Sequence, residues 1–155
     1  VELGAMHAIN YRTQEFSDAT KVLTEGLGVD LVLDCIGGSY LRQNLRCLKQ
    51  DGRLVVIGLM GGTKAELNLA QLLGKRIQII GSTLRNLPLE RKRTIIESFN
   101  ARFGPALRAG RLCAITHATL KLEEAQKAHH IMKASSHFGK LILAMADTAP
   151  SQETP

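Results

Sequence analysis

Three stretches of this sequence run an apolar segment into glycine or small hydroxyl residues: VDLVLDCIGG at 29–38, RLVVIGLMGG at 53–62 and IQIIGSTL at 77–84. A strand buried in a parallel sheet reads as such a run, and open α/β sheets bind ligands just outside the carboxyl ends of their strands. Each stretch is therefore either one wall of a cofactor site or a plain turn. The glycine spacing is not that of a pyrophosphate loop. Gly58, Gly61 and Gly62 read G-x-x-G-G, whereas a pyrophosphate loop needs G-x-G-x-x-G between a first strand and its helix.

Nucleophile and metal patterns are sparse. Cys35, Cys47 and Cys113 lack C-x-x-C spacing, so they read as reduced structural thiols of a reducing compartment, with neither a disulfide framework nor cysteine-ligated zinc. Cys35 follows Asp34, but no histidine is near in sequence and the preceding run is apolar, so packing is expected there. His129 and His130 are adjacent on a helix and face different directions, unlike the i, i+4 pair of a metal site. His7, His117 and His137 are isolated, and Arg85, Arg91, Lys92 and Arg93 read as decoration of a long helix.

These residues need elements to position them. A short strand is expected at His7–Tyr11, then a helix capped by Thr13 with Phe16, Ala19, Thr20 and Leu23 on its inner face, ending at the Gly26–Gly28 turn. After the strand at 29–35, Ser39 is placed to cap a helix with Leu41, Leu45 and Leu48 at i, i+4 and i+7. Asp51-Gly52 turns the chain into the next strand. A leucine-rich segment (67–73) precedes the strand at 77–84, and Pro88 opens a long helix with the stripe Ile95, Ile96, Phe99, Phe103 and Leu107, closed by Gly110. A strand near 114–120, a helix over 122–134 and a strand at 140–144 follow, and the polar segment 146–155 reads as a disordered tail. Strands alternating with helices predict an α/β fold with a mainly parallel sheet.

With 155 residues, 45% of them hydrophobic and 4% aromatic, the chain can bury one aliphatic core. Its net charge of +6 is spread among interleaved acids, which points to a solvated surface and away from nucleic acid. No run reaches the roughly 18 apolar residues of a membrane span, and no signal-peptide pattern is present, so a cytoplasmic protein with no membrane partner is expected. Opening on Val1 and entering structured sequence at once, the chain reads as a fragment of a longer product.

The blocks LGAMHAINYR, GVDLVLDCIGGSY, DGRLVVIGLMGG, IIGSTLR and AHHIMKASSHFGKLIL, in that order over residues 1–145, resemble the zinc-independent quinone oxidoreductases of the medium-chain dehydrogenase/reductase superfamily. The resemblance implies a partial Rossmann-type doubly wound sheet over 1–110 and, over 111–145, a return to a GroES-like substrate domain. It implies NADPH as cofactor, a quinone or enal-type substrate reduced by hydride transfer, and a homodimer joined through the strand at 77–83. Carried over position by position, it puts Tyr11 beside the adenosine and its 2′-phosphate, and Gly37 and Gly38 in the loop against the cofactor. Ile57, Gly58, Leu59 and Met60 run beside the nicotinamide ribose and ring, with Ser82, Thr83 and Leu84 at the next strand end. Lys140 is a further candidate contact. Glycines at 37, 38 and 58 would let backbone approach a ring without a Cβ in the way, and the hydroxyls of Ser82 and Thr83 would hydrogen-bond a carboxamide or ribose. No general acid, base or metal ligand is nominated.

Measured against that family, the GroES-like domain and the first two Rossmann strands, with their G-x-G-x-x-G loop, are absent from this sequence. The chain alone is therefore expected to be incomplete for catalysis. The alternatives are a non-catalytic truncated isoform that pairs through its strand edges, and a piece of a related alcohol dehydrogenase or enoyl reductase.

Overall fold

A computed structural model describes residues 3–145; the first two residues and the segment expected to be a disordered tail, 146–155, lie outside the described residues. The chain forms two compact units that divide after Leu87, so the long helix belongs to the second, whereas the expected domain boundary fell at 110. Both units are α/β with parallel strand pairing, as the alternating pattern predicted.

The first unit is built on α1 (Phe16–Leu23), β1 (Val29–Asp34), α2 (Leu41–Cys47), β2 (Leu48–Val56), α3 (Leu69–Lys75) and β3 (Gln78–Gly81). Its sheet has the order β1-β2-β3, both pairs parallel. Leu45, Leu48, Leu54 and Ile77 are buried at its centre, with Val32, Leu41, Val56 and Leu72 packed around them. Two members of the predicted leucine stripe thus lie in the core, although Leu48 already belongs to β2. The Asp51-Gly52 turn survives inside β2 as an irregularity: Asp51 is left-handed at φ 60°, and the register jumps from Val29↔Leu48 to Leu31↔Arg53.

Several local expectations gave way to longer-range partners. No strand forms at 7–11, because a strand exists only as a pairing and none of the described strands pairs with this segment. Thr13 does not cap α1. Its amide and hydroxyl both bond to the Asn10 carbonyl, at 3.1 and 3.2 Å, and Asn10 Oδ1 accepts from Arg12 N, so 10–13 closes as a turn of its own. Nor does Ser39 cap α2: it sits in a 3₁₀ turn, Gly38–Tyr40, and its amide is held by the Gly61 carbonyl at 3.2 Å. The leucine-rich segment became a helix, α3, for a reason legible in the sequence. Asn68 caps it by accepting from Ala70 N and Gln71 N, and Leu69, Leu72 and Leu73 follow at helical spacing. Lys75, in its last turn, reaches across to donate to the carbonyls of Leu45, Arg46 and Leu48 at the end of α2. Burial, followed by the nearby Lys21 charge, pulls the Lys75 ammonium pKa down.

The second unit comprises α4 (Leu89–Arg108), β4 (Thr116–Lys121), α5 (Ala125–Lys133) and β5 (Lys140–Ala144). β4 and β5 pair in parallel, and Leu120 and Ala128 are buried between β4 and α5. Pro88 is the N-cap residue of α4 and the left-handed Gly110 follows its end, as expected. The predicted stripe of α4 exists as a stripe but is not core: Ile95, Ile96, Phe99, Phe103 and Leu107 are 37–58% exposed. No helix among the described residues is long and apolar enough to cross a membrane.

Candidate functional site

Parallel pairing brings the carboxyl ends of all three strands of the first unit to one edge, with Asp34, Val56 and Gly81 in register. The chain beyond them continues the pairing as loops. Ile57 N bonds to Asp34 O at 2.7 Å, Met60 N to Cys35 O at 3.3 Å and Gly61 N to Ile36 O at 2.7 Å. Gly38 N returns to Gly62 O at 2.9 Å, and on the other side Ser82 N bonds to Val56 O at 2.9 Å. The loops after β1 and β2 are therefore fastened to each other, and the start of the loop after β3 is tied to β2.

Asp34 anchors the first of these loops. It is 4% exposed, and its carboxylate accepts from Ile36 N at 2.8 Å and Gly37 N at 2.9 Å. The sequence singled Asp34 out only as a neighbour of a possible nucleophile. An Asp two residues ahead of an amide it can bond, just before Gly-Gly, is the turn signal that would have found it.

The glycines are needed by the loop packing itself. A Cβ on Gly58 would lie 2.7 Å from the Cys35 carbonyl oxygen, and one on Gly38 would lie 2.5 Å from the Lys64 carbonyl oxygen. Gly37 sits at φ +81° with the Leu59 side chain 2.8 Å from where its Cβ would be. At these positions the space a side chain would fill is taken by the chain's own facing loop, so glycine is required before any ligand arrives. Gly38→Ala is accordingly expected to destabilise the first unit by about 1–3 kcal/mol, because the opposing atoms are backbone and cannot step aside. Urea unfolding checks this, and a variant as stable as the parent would contradict the loop packing.

What the edge presents outward is apolar and hydroxylic. Ile57, Leu59, Met60 and Leu84 are 49–81% exposed, and Ser82 and Thr83 are exposed beside them. Tyr11 is exposed as well, its ring edge-on to Tyr40 at 6.2 Å, while Phe16 lies 4.9 Å from Tyr40 on another side. These aromatics, with Asp34, Cys35 and Asn44, line a cavity of about 230 Å³. Partial burial, then Tyr11, Asp34 and Cys35 nearby, pushes the Tyr40 hydroxyl pKa up. Lys140 belongs to the second unit, where its amide opens β5 by bonding to the Ile115 carbonyl at 2.8 Å.

Cys35 corrects another expectation. It is exposed, as are Leu31 and Leu33, because all three alternate onto the open face of β1 while Val32 and Asp34 point to the covered one. Of the three free thiols only Cys47 is buried. Among the described residues no group of three or more His, Cys, Asp or Glu is placed to hold a metal ion.

Comparison with known proteins agrees with this architecture. A family profile described as zinc-binding dehydrogenase matches residues 1–101. The 2-haloacrylate reductase of a Burkholderia species is 30% identical over 142 residues, covering 92% of this chain and 43% of that protein. Quinone oxidoreductase-like protein 2 of Mus musculus is 30% identical over 146 residues, covering 94% and 41%. The crystal structure of 2-haloacrylate reductase superposes with a TM-score of 0.73 at 29% identity, over 94% of this chain and 45% of that one. That of an NAD-dependent alcohol dehydrogenase gives 0.74 at 26%, over 94% and 39%. The chain thus spans less than half the length of these relatives.

Proposed function

The chain belongs to the zinc-binding dehydrogenase family of medium-chain dehydrogenase/reductases, and from that membership we propose that it carries the nicotinamide-side wall of a cofactor site in an NADPH-dependent, zinc-independent oxidoreductase. The supporting observation is the edge itself: three parallel strands end in register with an apolar ledge, Ile57–Met60, beside the hydroxyls of Ser82 and Thr83. That combination suits one flat face and one hydrogen-bonding rim of a dihydronicotinamide, which when bound supplies the hydride. In this proposal the ledge of Ile57, Leu59 and Met60 excludes water from one face of the ring. Ser82 and Thr83 orient it by donating to or accepting from its amide. Gly37 and Gly38 carry the loop along the ribose, and Tyr11 approaches the adenosine 2′-phosphate. No general acid or base is assigned to this chain in the proposal.

Quinones and enal-type compounds are the proposed substrates. Quinone and 2-haloacrylate, the compounds in two relatives' names, are both conjugated carbonyl systems that accept a hydride at carbon or oxygen. The setting is cytoplasmic. The partner is a second copy joined through the strand at 77–83, since β3 is the outer strand of its sheet with Ile79 and Ile80 each 40% exposed. The same exposed edge is what an interaction role without catalysis would use.

The 155-residue chain contains no G-x-G-x-x-G loop, so its own grip on the nucleotide is expected to be weak and turnover absent. In a heteronuclear NMR titration with NADPH, the amides of Ile57–Met60 and Ser82–Leu84 should shift at submillimolar to millimolar nucleotide. Shifts confined to other residues would refute the assignment of the edge. A micromolar affinity by nucleotide fluorescence would refute the incompleteness of the site.

A further inference from the structure

The opposite end of the same sheet carries a feature that the hydride-transfer reading does not use. Where β1 and β2 begin, a cleft of about 930 Å³ opens among the ends of α1 and α2 and the helix α3, large enough for a ligand of nucleotide size. Four cations line it, Lys21, Arg46, Lys49 and Lys75, against the single carboxylate of Asp30. They come from three helices and a strand, so their spacing in the sequence does not reveal them as a group.

Packing gathers them at the junction of α2 and β2. Gly28 is left-handed at φ +85°, and a Cβ there would lie 2.5 Å from the Cys47 carbonyl oxygen and 3.0 Å from Lys49 N, so the turn after α1 is pressed onto residues 47–49. Lys75 reaches the same junction from α3 through the carbonyls of Leu45, Arg46 and Leu48. Three of the cations also act on one atom. Burial pushes the Cys47 thiol pKa up, and the Thr20 hydroxyl, then the Lys75, Arg46 and Lys21 charges, pull against it.

These cations are unequally committed. Lys75 donates to three carbonyls, and its pKa is pulled down by burial and then by the Lys21 charge, so two ammonium groups repel with no anion between them. Lys21 has no ion pair among the described residues. Lys49 Nζ pairs with Asp30 and Arg46 Nη2 with Asp18, both at 2.6 Å and both partly exposed, the setting in which an ion pair contributes little and exchanges readily. A monocarboxylate entering here could do no more than Asp18 and Asp30 already do. A competitor needs several charges on one compact group, and the planar fork of Arg46 matches phosphate oxygens in pairs. We propose that this cleft binds a small molecule carrying two or more linked phosphate groups, held by Lys21, Arg46 and Lys49 in the positive field of Lys75. Gln71, on the same wall, is placed to bond the remainder of such a ligand.

Inorganic pyrophosphate is titrated into the isotope-labelled chain and followed by heteronuclear NMR at about 0.15 M salt, where scattered surface charge is screened beyond about 8 Å. The amides of Lys21, Gly28, Arg46, Lys49 and Lys75 should shift together and saturate at submillimolar ligand. Sulfate, which has no second anionic group, should bind there about tenfold more weakly, and Lys21→Ala should weaken pyrophosphate binding about fivefold. Lys133→Ala, which removes an exposed charge from the second unit, should leave the affinity unchanged. Shifts that do not saturate or that spread over the basic residues of both units would overturn the proposal, as would equal affinities for sulfate and pyrophosphate; neither result needs a variant to fold. A Lys21→Ala chain that binds no more weakly than Lys133→Ala would overturn it too. Pyrophosphate has no nicotinamide, so either failure leaves the cofactor reading standing, and the NADPH titration alone decides that reading.

Discussion

Leu54→Ala is expected to lower the unfolding free energy of the first unit by about 3 kcal/mol, within the usual range of 2–5 kcal/mol for a leucine truncated in a closed core. Leu54 is 0% exposed at the centre of the middle strand, paired to Val32 on one side and Ile79 on the other, and its side chain joins the cluster of Leu45, Leu48 and Ile77. The loss combines the transfer term of the removed methyl groups with that of a cavity between a sheet and its helices, where β2 is pinned on both edges and cannot collapse inward. Small domains hold only about 5–15 kcal/mol in total, so a change of this size is a large share of the stability of the unit. Urea unfolding followed by far-ultraviolet circular dichroism measures it as a lower midpoint at unchanged slope. Leu33→Ala is the matched control on the same sheet. Leu33 is 65% exposed on the open face, and its truncation should cost no more than about 0.5 kcal/mol. Equal losses in the two variants would mean that the covered face has been misassigned.

The second large effect is expected at Asp34. Asp34→Ala removes an acceptor that serves two amides at once, Ile36 N and Gly37 N, and should cost about 3 kcal/mol, since bonds to a charged group contribute more than neutral ones and the orphaned donors keep their desolvation penalty. Unlike the loss at Leu54, this one is local in its consequences. The loop 35–38 loses its anchor, and with it the facing carbonyls that hold Met60 N and Gly61 N. Hydrogen exchange should therefore speed up at Ile36, Gly37, Met60 and Gly61 well before the core amides of β2 respond. Asp34→Asn retains one acceptor and should fall between the parent and Asp34→Ala. Exchange that rises uniformly across the sheet in Asp34→Ala would show that the carboxylate supports the fold generally and not this loop pair.

Both effects bear on the ledge proposed for the cofactor, from opposite ends. Leu54 sits three residues before Ile57 on the same strand and fixes where that strand ends. Asp34 fixes the loop against which Gly58 is closed. The geometry of Ile57–Met60 is thus determined by groups that touch no ligand, one through packing and the other through hydrogen bonds.

Much of this was legible in the residues themselves. The apolar runs at 29–34, 53–56 and 78–81 are strands, the i, i+4, i+7 leucines mark α2, and Pro88 and Gly110 bracket α4. Each of these signals is local: side-chain periodicity and the backbone limits of proline and glycine act within a few residues, so the linear sequence contains them in full. The blocks shared with relatives were equally plain, since identity in order along the chain requires no knowledge of contacts.

What the sequence could not supply was the partner of each group. His7–Tyr11 has the composition of a strand, yet it forms none because a ladder needs a neighbour. Thr13 and Ser39 have the chemistry of helix caps, but α1 and α2 begin further on, with Glu15 and Tyr40 at their cap positions, and Thr13 and Ser39 fall in turns held by the carbonyls of Asn10 and Gly61. The stripe of α4 has core periodicity and stays exposed, because periodicity states which residues share a face and not whether anything covers it. Tertiary structure alone assigned Cys35 to the open face, gave Asn44 its unpaired amide and put the facing loop where the Cβ atoms of Gly38 and Gly58 would be. By itself the sequence determined most of the elements, their order and the family, all of which follow from short-range preference and likeness. Which groups meet at the carboxyl edge, and what each glycine there makes room for, depended on the register between strands distant in sequence, because hydrogen bonding and exclusion act only where chains come together.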